Sequence, residues 1–274
     1  YPRIFKSKPS SSICIMNKNL INLNADLGES YGAWKMGDDF QMLQVVKSAN
    51  LACGFHAGDP LIMRKTVKLA KENKVSIGAH PSYPDLQGFG RRVMNLSLEE
   101  IQANIIYQIG ALQAIANSED YSVTHVKAHG ALSNQACVDK NIAAAIVKSI
   151  YSVNKNLILL APACSQLEYQ GKEIGLNVAL EIFADRTYQD DGQLTPRSKP
   201  GSVIHDPKSC LEHIKRMLEK GGIVSTSGHF LKTNIHSICV HGDSPNSVES
   251  AHLIRDFLKM QFQLVPLNDL FLKH

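Results

Sequence analysis

The sequence predicts an α/β protein folded as a (β/α) barrel, a distorted TIM-like closure of about seven parallel strands. Three observations predict it. From residue 20 onward, short apolar runs alternate with longer stretches of helical periodicity, a pattern that implies parallel strands joined by right-handed crossovers. Seven such units occur, and no Gly-x-Gly-x-x-Gly turn follows the first strand, so a closed barrel is favoured over a dinucleotide-binding sheet. Six of the seven apolar runs end in ionisable residues, as expected where the carboxyl ends of barrel strands carry a site. The count falls one short of eight, hence the expected distortion.

The strands read in order as "LINLNAD" (20–26), "VKSANLAC" (46–53), "KVSIGAH" (74–80), "SVTHVKAH" (122–129), "NLILLAP" (156–162), "NVALEIFAD" (177–185) and "SICVHGD" (237–243). Between them lie helices. Residues 59–73 open with Asp59 and Pro60, an N-cap followed by proline in the first turn. Residues 95–116 carry apolar residues at helical spacing, and Ser97 with Glu100 makes a capping box. Residues 138–150, 163–172, 207–220 and 245–260 complete the set. Two segments interrupt the alternation. The Gly/Pro-rich stretch 186–206 reads as a flap near the site, and 221–233 as a hairpin-like insert. With no internal linker, residues 16–274 are expected to form one barrel domain. Residues 1–15 are basic, Ser-rich and free of acid; they read as a leader or accessory segment ahead of Met16.

Composition excludes several function classes. The 274 residues are 44% hydrophobic and 20% charged, enough for a sizeable core. The net charge of +4 is scattered, with no basic run or aromatic interleaving, so nucleic-acid binding is disfavoured. No apolar stretch reaches the length of a membrane span. The six cysteines (Cys14, Cys53, Cys137, Cys164, Cys210, Cys239) form no C-x-x-C pair and several sit in apolar runs, which suits a reduced cytoplasmic protein.

The strand ends supply the candidate residues. The first run ends in Asn24 and Asp26, with Glu29 just beyond. The second leads into "CGFHAGDP", where Gly54 and Gly58 flank His56 ahead of Asp59 and are expected to turn His56 over the mouth. The third ends in His80, the fourth in Lys127 and His129, the sixth in Asp185 and Arg186, and the seventh in His241 and Asp243. Asp59 reads better as a helix N-cap than as a catalyst. Lys127 and His129, two apart on a strand, point the same way, and a lumen ammonium needs an anionic partner such as Asp26 or an anionic substrate. Carboxylates, imidazoles and a lysine around one mouth suit water activation and polarisation of a carbonyl or phosphoryl group. They would equally suit a divalent metal on His56, His129 and Asp26. H-E-x-x-H, a Walker A loop and Gly-x-Ser-x-Gly are all missing, so acid, base or metal-assisted hydrolysis is favoured over a covalent serine or cysteine route.

The phrases "LNADLGES", "ANLACGFHAGDP", "IGAHPSYPD" with "GFGRR", "HVKAHGAL", "FADRTY" with "DGQLTPRS", and "ICVHGDSP" follow in this order across residues 22–245. Together they closely resemble the LamB/YcsF family. The resemblance implies a seven-stranded barrel related to the glycoside hydrolase and deacetylase barrels. It also implies the A-subunit role in ATP-dependent 5-oxoprolinase, which opens 5-oxo-L-proline to L-glutamate with partner subunits B and C. Carried over motif by motif, it marks Asn24, Asp26, Glu29, His56, Asp59, His80, Arg91, Arg92, Lys127, His129, Asp185, Arg186, His241 and Asp243. In the fourth motif Ala128 stands where the family usually has proline, and Ser133 where it has tyrosine.

For such a reaction Asp26, His56 or His241 could be the base, with Lys127 and His129 beside them in the catalytic group. Asn24, Glu29, His80, Arg91, Asp185, Arg186 and Asp243 would bind substrate or phosphate. No phosphate-cradling glycine loop is evident, so ATP is expected to be bound by or with the partner subunits. Two other readings stay open: a stand-alone metal-dependent deacetylase or amidohydrolase, and a non-catalytic lactam-binding or scaffolding subunit. Self-association is also open.

Overall fold

The computed structural model describes residues 20–242 and 246–272; the leader expected at 1–15, Met16, Cys14 and the rim residue Asp243 lie outside them. The first strand, β1 (Leu20–Leu27), shows how the barrel is built. Ile21, Leu23 and Ala25 join the apolar core, while Asn22, Asn24 and Asp26 alternate with them and make side-chain hydrogen bonds to neighbouring strands. Period-two alternation sends successive side chains to opposite faces. Here one face meets the helices and the other lines the lumen. Both are buried, which is usual for parallel sheets, but this lumen is polar.

A short helix α1 (Asp39–Leu43) leads to β2 (Ser48–Ala52), α2 (Pro60–Glu72), β3 (Ser76–His80), α3 (Leu98–Ser118) and β4 (Val123–Val126). Then come α4 (Gly130–Val138), α5 (Lys140–Val153), β5 (Ile158–Pro162), α6 (Gln166–Ile174), β6 (Asn177–Phe183) and α7 (Pro207–Lys220). An antiparallel hairpin, β7 (Gly222–Val224) and β8 (Phe230–Lys232), precedes β9 (Ser237–His241), α8 (Ser247–Gln261) and β10 (Gln263–Leu264). β1 through β6 pair in sequence, β6 pairs with β9, and β9 returns to β1, so seven parallel strands close into a barrel. The expected fold is the one observed, with the hairpin where the sequence placed it.

The differences have physical causes. The helix expected at 138–150 is α5, and a further helix, α4, precedes it; Asp139 separates the two by leaving helical backbone and caps α5 by accepting from the Asn141 and Ile142 amides. The strand expected to reach His129 ends at Val126, yet Lys127 and His129 still donate their amides to Ala79 and Pro81, so the chain stays extended past the last paired strand residue. The C-terminal segment, which carried no sequence signal, plugs the amino end of the barrel. Leu267 packs with Ile158, Leu160 and Ala179, its amide donates to Ser48, and Asn22 donates to the Val265 carbonyl. Among the described residues no helix is long and apolar enough to cross a membrane. The five described cysteines are unpaired.

The β2–α2 turn needs its glycines unequally. Both Gly54 and Gly58 adopt left-handed backbone (φ +93° and +76°). A Cβ on Gly58 would stand 2.6 Å from the Ala52 carbonyl oxygen, whereas one on Gly54 meets nothing nearer than 3.8 Å. Gly54→Ala should cost only the conformational penalty, about 1–2 kcal/mol. Gly58→Ala adds a backbone clash and should cost about 3 kcal/mol or more. Denaturant unfolding of the two variants checks this, and equal losses would show that the clash relaxes.

Candidate active site

Three polar layers fill the lumen. At the amino end, Asn22, Ser48, Ser76 and Ser237 are joined by side-chain hydrogen bonds. Above them, Asn24 donates to Ser237 and Glu181, and Asn50 donates to Asn24 while receiving from His125. The third layer is ionic. Lys127 Nζ lies 2.9 Å from Asp26 Oδ1 and 3.1 Å from Glu181 Oε2, with Cys239 Sγ at 3.1 Å and the Phe183 ring beneath it at 5.0 Å. Asn50 donates to the same Asp26 oxygen at 2.8 Å.

The electrostatics follow from burial and pairing. Burial works against the Lys127 ammonium, but the groups around it, Asp26 foremost and Glu181 among them, together outweigh burial and hold Lys127 well above the usual lysine range. Burial alone would push Asp26 up, yet His80 and Lys127 hold its carboxyl well below the usual carboxylate range. Burial raises Glu181 further than Lys127 lowers it. Glu181 Oε1 has no hydrogen-bond partner. Burial pushes His125 down to about 3, so it serves as a neutral donor to Asn50.

Beside this layer three imidazoles cluster. His80 Nε2 is 3.3 Å from Asp26 and 3.0 Å from His129 Nδ1. His56 Nε2 is 3.1 Å from Glu29 Oε1, and its ring stacks on His129 at 3.8 Å between centroids. Burial drives both His56 and His129 well below the usual histidine range. Phe89, at φ +54°, turns its carbonyl onto His129 Nε2 at 2.9 Å. Across the barrel, His241 Nδ1 donates to Asp185 at 2.8 Å. Burial would lower His241, but Asp185 outweighs it and raises it above the usual value.

A cavity of about 490 Å³ opens over these groups at the carboxyl ends of the strands. Of the residues marked by sequence, it is lined by Asp26, His80, Arg91, Lys127, His129, Arg186 and His241. Burial pushes the Arg186 guanidinium down to about 10; it donates to the Thr195 and Ser202 carbonyls, which ties it to the 186–206 segment. That segment folds over the site, its residues Gly192–Arg197 forming one cavity wall.

Other marked residues do not reach the cavity. Asn24 is spent in the lumen below it. His56 is not over the mouth as the turn suggested: it is fully buried behind His129, and Glu29 lies with it. Asp59 caps α2 and accepts from the Gly32 amide. Arg92 pairs with Asp85. Sequence reading missed Glu181, Asn50 and Arg197. A carboxylate in the middle of the apolar run "VALEIFA" (178–184) was the available signal for Glu181.

Fold and cavity define a parallel (β/α)-barrel protein with an ion-paired floor and an imidazole wall at its carboxyl rim. The chain belongs to the LamB/YcsF family, whose model matches residues 21–270. It is 56% identical over 251 residues to a protein of Azoarcus sp. (strain BH72) named as the A subunit of 5-oxoprolinase, covering 91% of this chain and 98% of that one. It is 48% identical over 250 residues to the protein of the same name from Pyrococcus abyssi (strain GE5 / Orsay), with coverage of 91% and 98%. The crystal structure of a lactam utilization protein from Thermus thermophilus superposes with a TM-score of 0.82 at 42% identity, covering 90% of this chain and 98% of that one.

Breaking the ionic layer should be costly. Lys127→Met leaves Asp26 and Glu181 buried without their cation and should destabilise the fold by about 3–5 kcal/mol. Combining it with Asp26→Asn and Glu181→Gln should recover part of that loss. Chemical denaturation of the single and triple variants checks both.

Proposed function

We propose that this chain is the A subunit of an ATP-dependent 5-oxoprolinase and carries out the hydrolytic half of 5-oxo-L-proline opening with partner subunits B and C. The observation that carries this reading is the cavity itself, cationic-walled and set over the ionic layer, in a chain so similar to proteins of that name. It has room for a five-membered lactam together with a phosphoryl group, and Arg91, Arg186 and Arg197 line it where a carboxylate or a phosphoryl group would be held.

A lactam is a poor electrophile. Phosphorylation of its oxygen by ATP, handled with the partner subunits, activates the carbon. Water adds there, the ring C–N bond breaks, and hydrolysis of the acyl phosphate releases glutamate and phosphate. His241 is the best-placed base. Because Asp185 accepts from Nδ1, the neutral ring presents its Nε2 lone pair toward Asp26, 3.9 Å away on the cavity floor. Asp26 is less suited, since Lys127 and His80 hold it ionised at low basicity. His56 has no access to the cavity. Lys127 would steady negative charge at the floor.

The sign of the pH dependence follows. The base must be neutral, so turnover should rise as pH passes the His241 value, which Asp185 holds above the ordinary 6.5. Asp185→Asn should move that midpoint down and lower kcat by about 10²–10⁴-fold. A pH–rate profile of the reconstituted complex checks this.

The reading is tested by mixing the chain with subunits B and C, 5-oxoproline and ATP. Glutamate should form only with all components present. His241→Asn should assemble with the partners yet lose turnover. Full turnover in that variant would turn the reading toward a binding or scaffolding role.

A further inference from the structure

His80 and His129 meet in an arrangement that two neutral imidazoles cannot hold by themselves. His80 Nδ1 lies 2.7 Å from the Lys127 carbonyl oxygen, and His129 Nε2 lies 2.9 Å from that of Phe89. A carbonyl only accepts, so each of those nitrogens carries its ring's proton. The remaining nitrogens, His80 Nε2 and His129 Nδ1, then face each other with lone pairs 3.0 Å apart. Lone pairs at that distance repel unless a positive centre, a metal ion or an added proton, stands between them, and the same positive centre at His80 Nε2 is what lets His80 hold Asp26 ionised. Negative charge already surrounds the spot: Glu29 Oε1 is 3.7 Å from His129 Nδ1, and Asp26 Oδ2 is 3.3 Å from His80 Nε2. One donor atom each from Glu29, His56, His80 and His129 lies within 4.8 Å of all the others.

We propose that Glu29, His80 and His129 form a site for a divalent transition-metal ion in the cavity wall, with His56 supporting it from outside. Two imidazoles and one carboxylate make the donor set of open metal sites, which keep a coordination position for water or substrate. The second nitrogen of each liganding ring donates to a backbone carbonyl, the arrangement that orients metal-binding histidines. His56 stays out of the coordination sphere. Its ring is parallel to His129 within 5°, and the in-plane lone pairs of stacked rings cannot converge on one ion. Instead, its Nε2 donates to Glu29 and aims the carboxylate. Burial keeps His129 in the neutral form that a metal needs. His80 and His129 both line the cavity, so the open position faces the space where a substrate sits. The ligand set thus exchanges the His56 and Asp26 suggested by sequence for His80 and Glu29.

The site stands on these contacts and not on the lactam reading, and its test needs no substrate. The full chain is stripped with chelator and titrated with Co²⁺. One equivalent should bind, with visible d–d absorption that Zn²⁺ abolishes by displacement. His129→Ala and Glu29→Gln should each weaken binding more than about tenfold, and His56→Gln by about 10–100-fold. Cys239→Ser, in the separate Asp26, Cys239 and His241 group, should leave binding unchanged. The wild-type titration depends on no variant folding. If it shows no stoichiometric band, the positive centre is a proton shared by the two rings and the proposal fails. Loss of the band in Cys239→Ser would overturn it as well, by moving the ion to the other group.

Discussion

The structure depends on one buried ammonium. Lys127 reaches the lumen of a closed barrel, only 3% exposed at the cavity floor, and such a charge is tolerated only when it is paired and hydrogen-bonded. Asp26 from β1 and Glu181 from β6, the two strands that flank β9, supply the pairing. Both strands are therefore committed to presenting carboxylates inward. That commitment sets which residues of each strand face in, because a one-residue slip would exchange the polar and apolar faces.

The layers below satisfy the same constraint with neutral groups. A polar lumen must be hydrogen-bonded throughout, and the Asn22, Asn24, Asn50, His125 and serine contacts do this from strand to strand. The C-terminal segment closes the amino end by giving Ser48 and Asn22 backbone partners. With that end sealed, the charged layer opens only toward the cavity. The lumen works as a rigid pedestal for Asp26, and it leaves Glu181 Oε1 as the one carboxylate oxygen there, among the described residues, without a partner.

Above the pedestal, two histidine environments serve different chemistry. His241 is held by a carboxylate and gains basicity, whereas His56 and His129 are held by burial and lose it. Groups whose environments push them apart in this way suit distinct roles in proton transfer and in coordination. The 186–206 segment completes the arrangement, since Arg186 at the end of β6 is tied to the segment's own carbonyls and brings Arg197 to the same wall.

Strand order, barrel closure and most of the cavity's charged and histidine side chains were legible in the sequence. Alternation in "LINLNAD" and ionisable strand ends are local signals, and the family phrases mark the same positions. Asp26 as partner of Lys127 was legible too, because a lysine two residues before His129 on an extended chain points inward with it. What only the tertiary structure decided is depth and partnership. His56 and His80 look alike as strand-end histidines, but one is sealed behind His129 and the other faces the cavity, because turn geometry and ring stacking are set by chain segments far apart in sequence. Glu181 looked like an anomaly in an apolar run until β6, two strands from β4, brought it within 3.1 Å of Lys127. Residue type and period follow from local covalent geometry, whereas which buried charge meets which is settled only when the sheet closes.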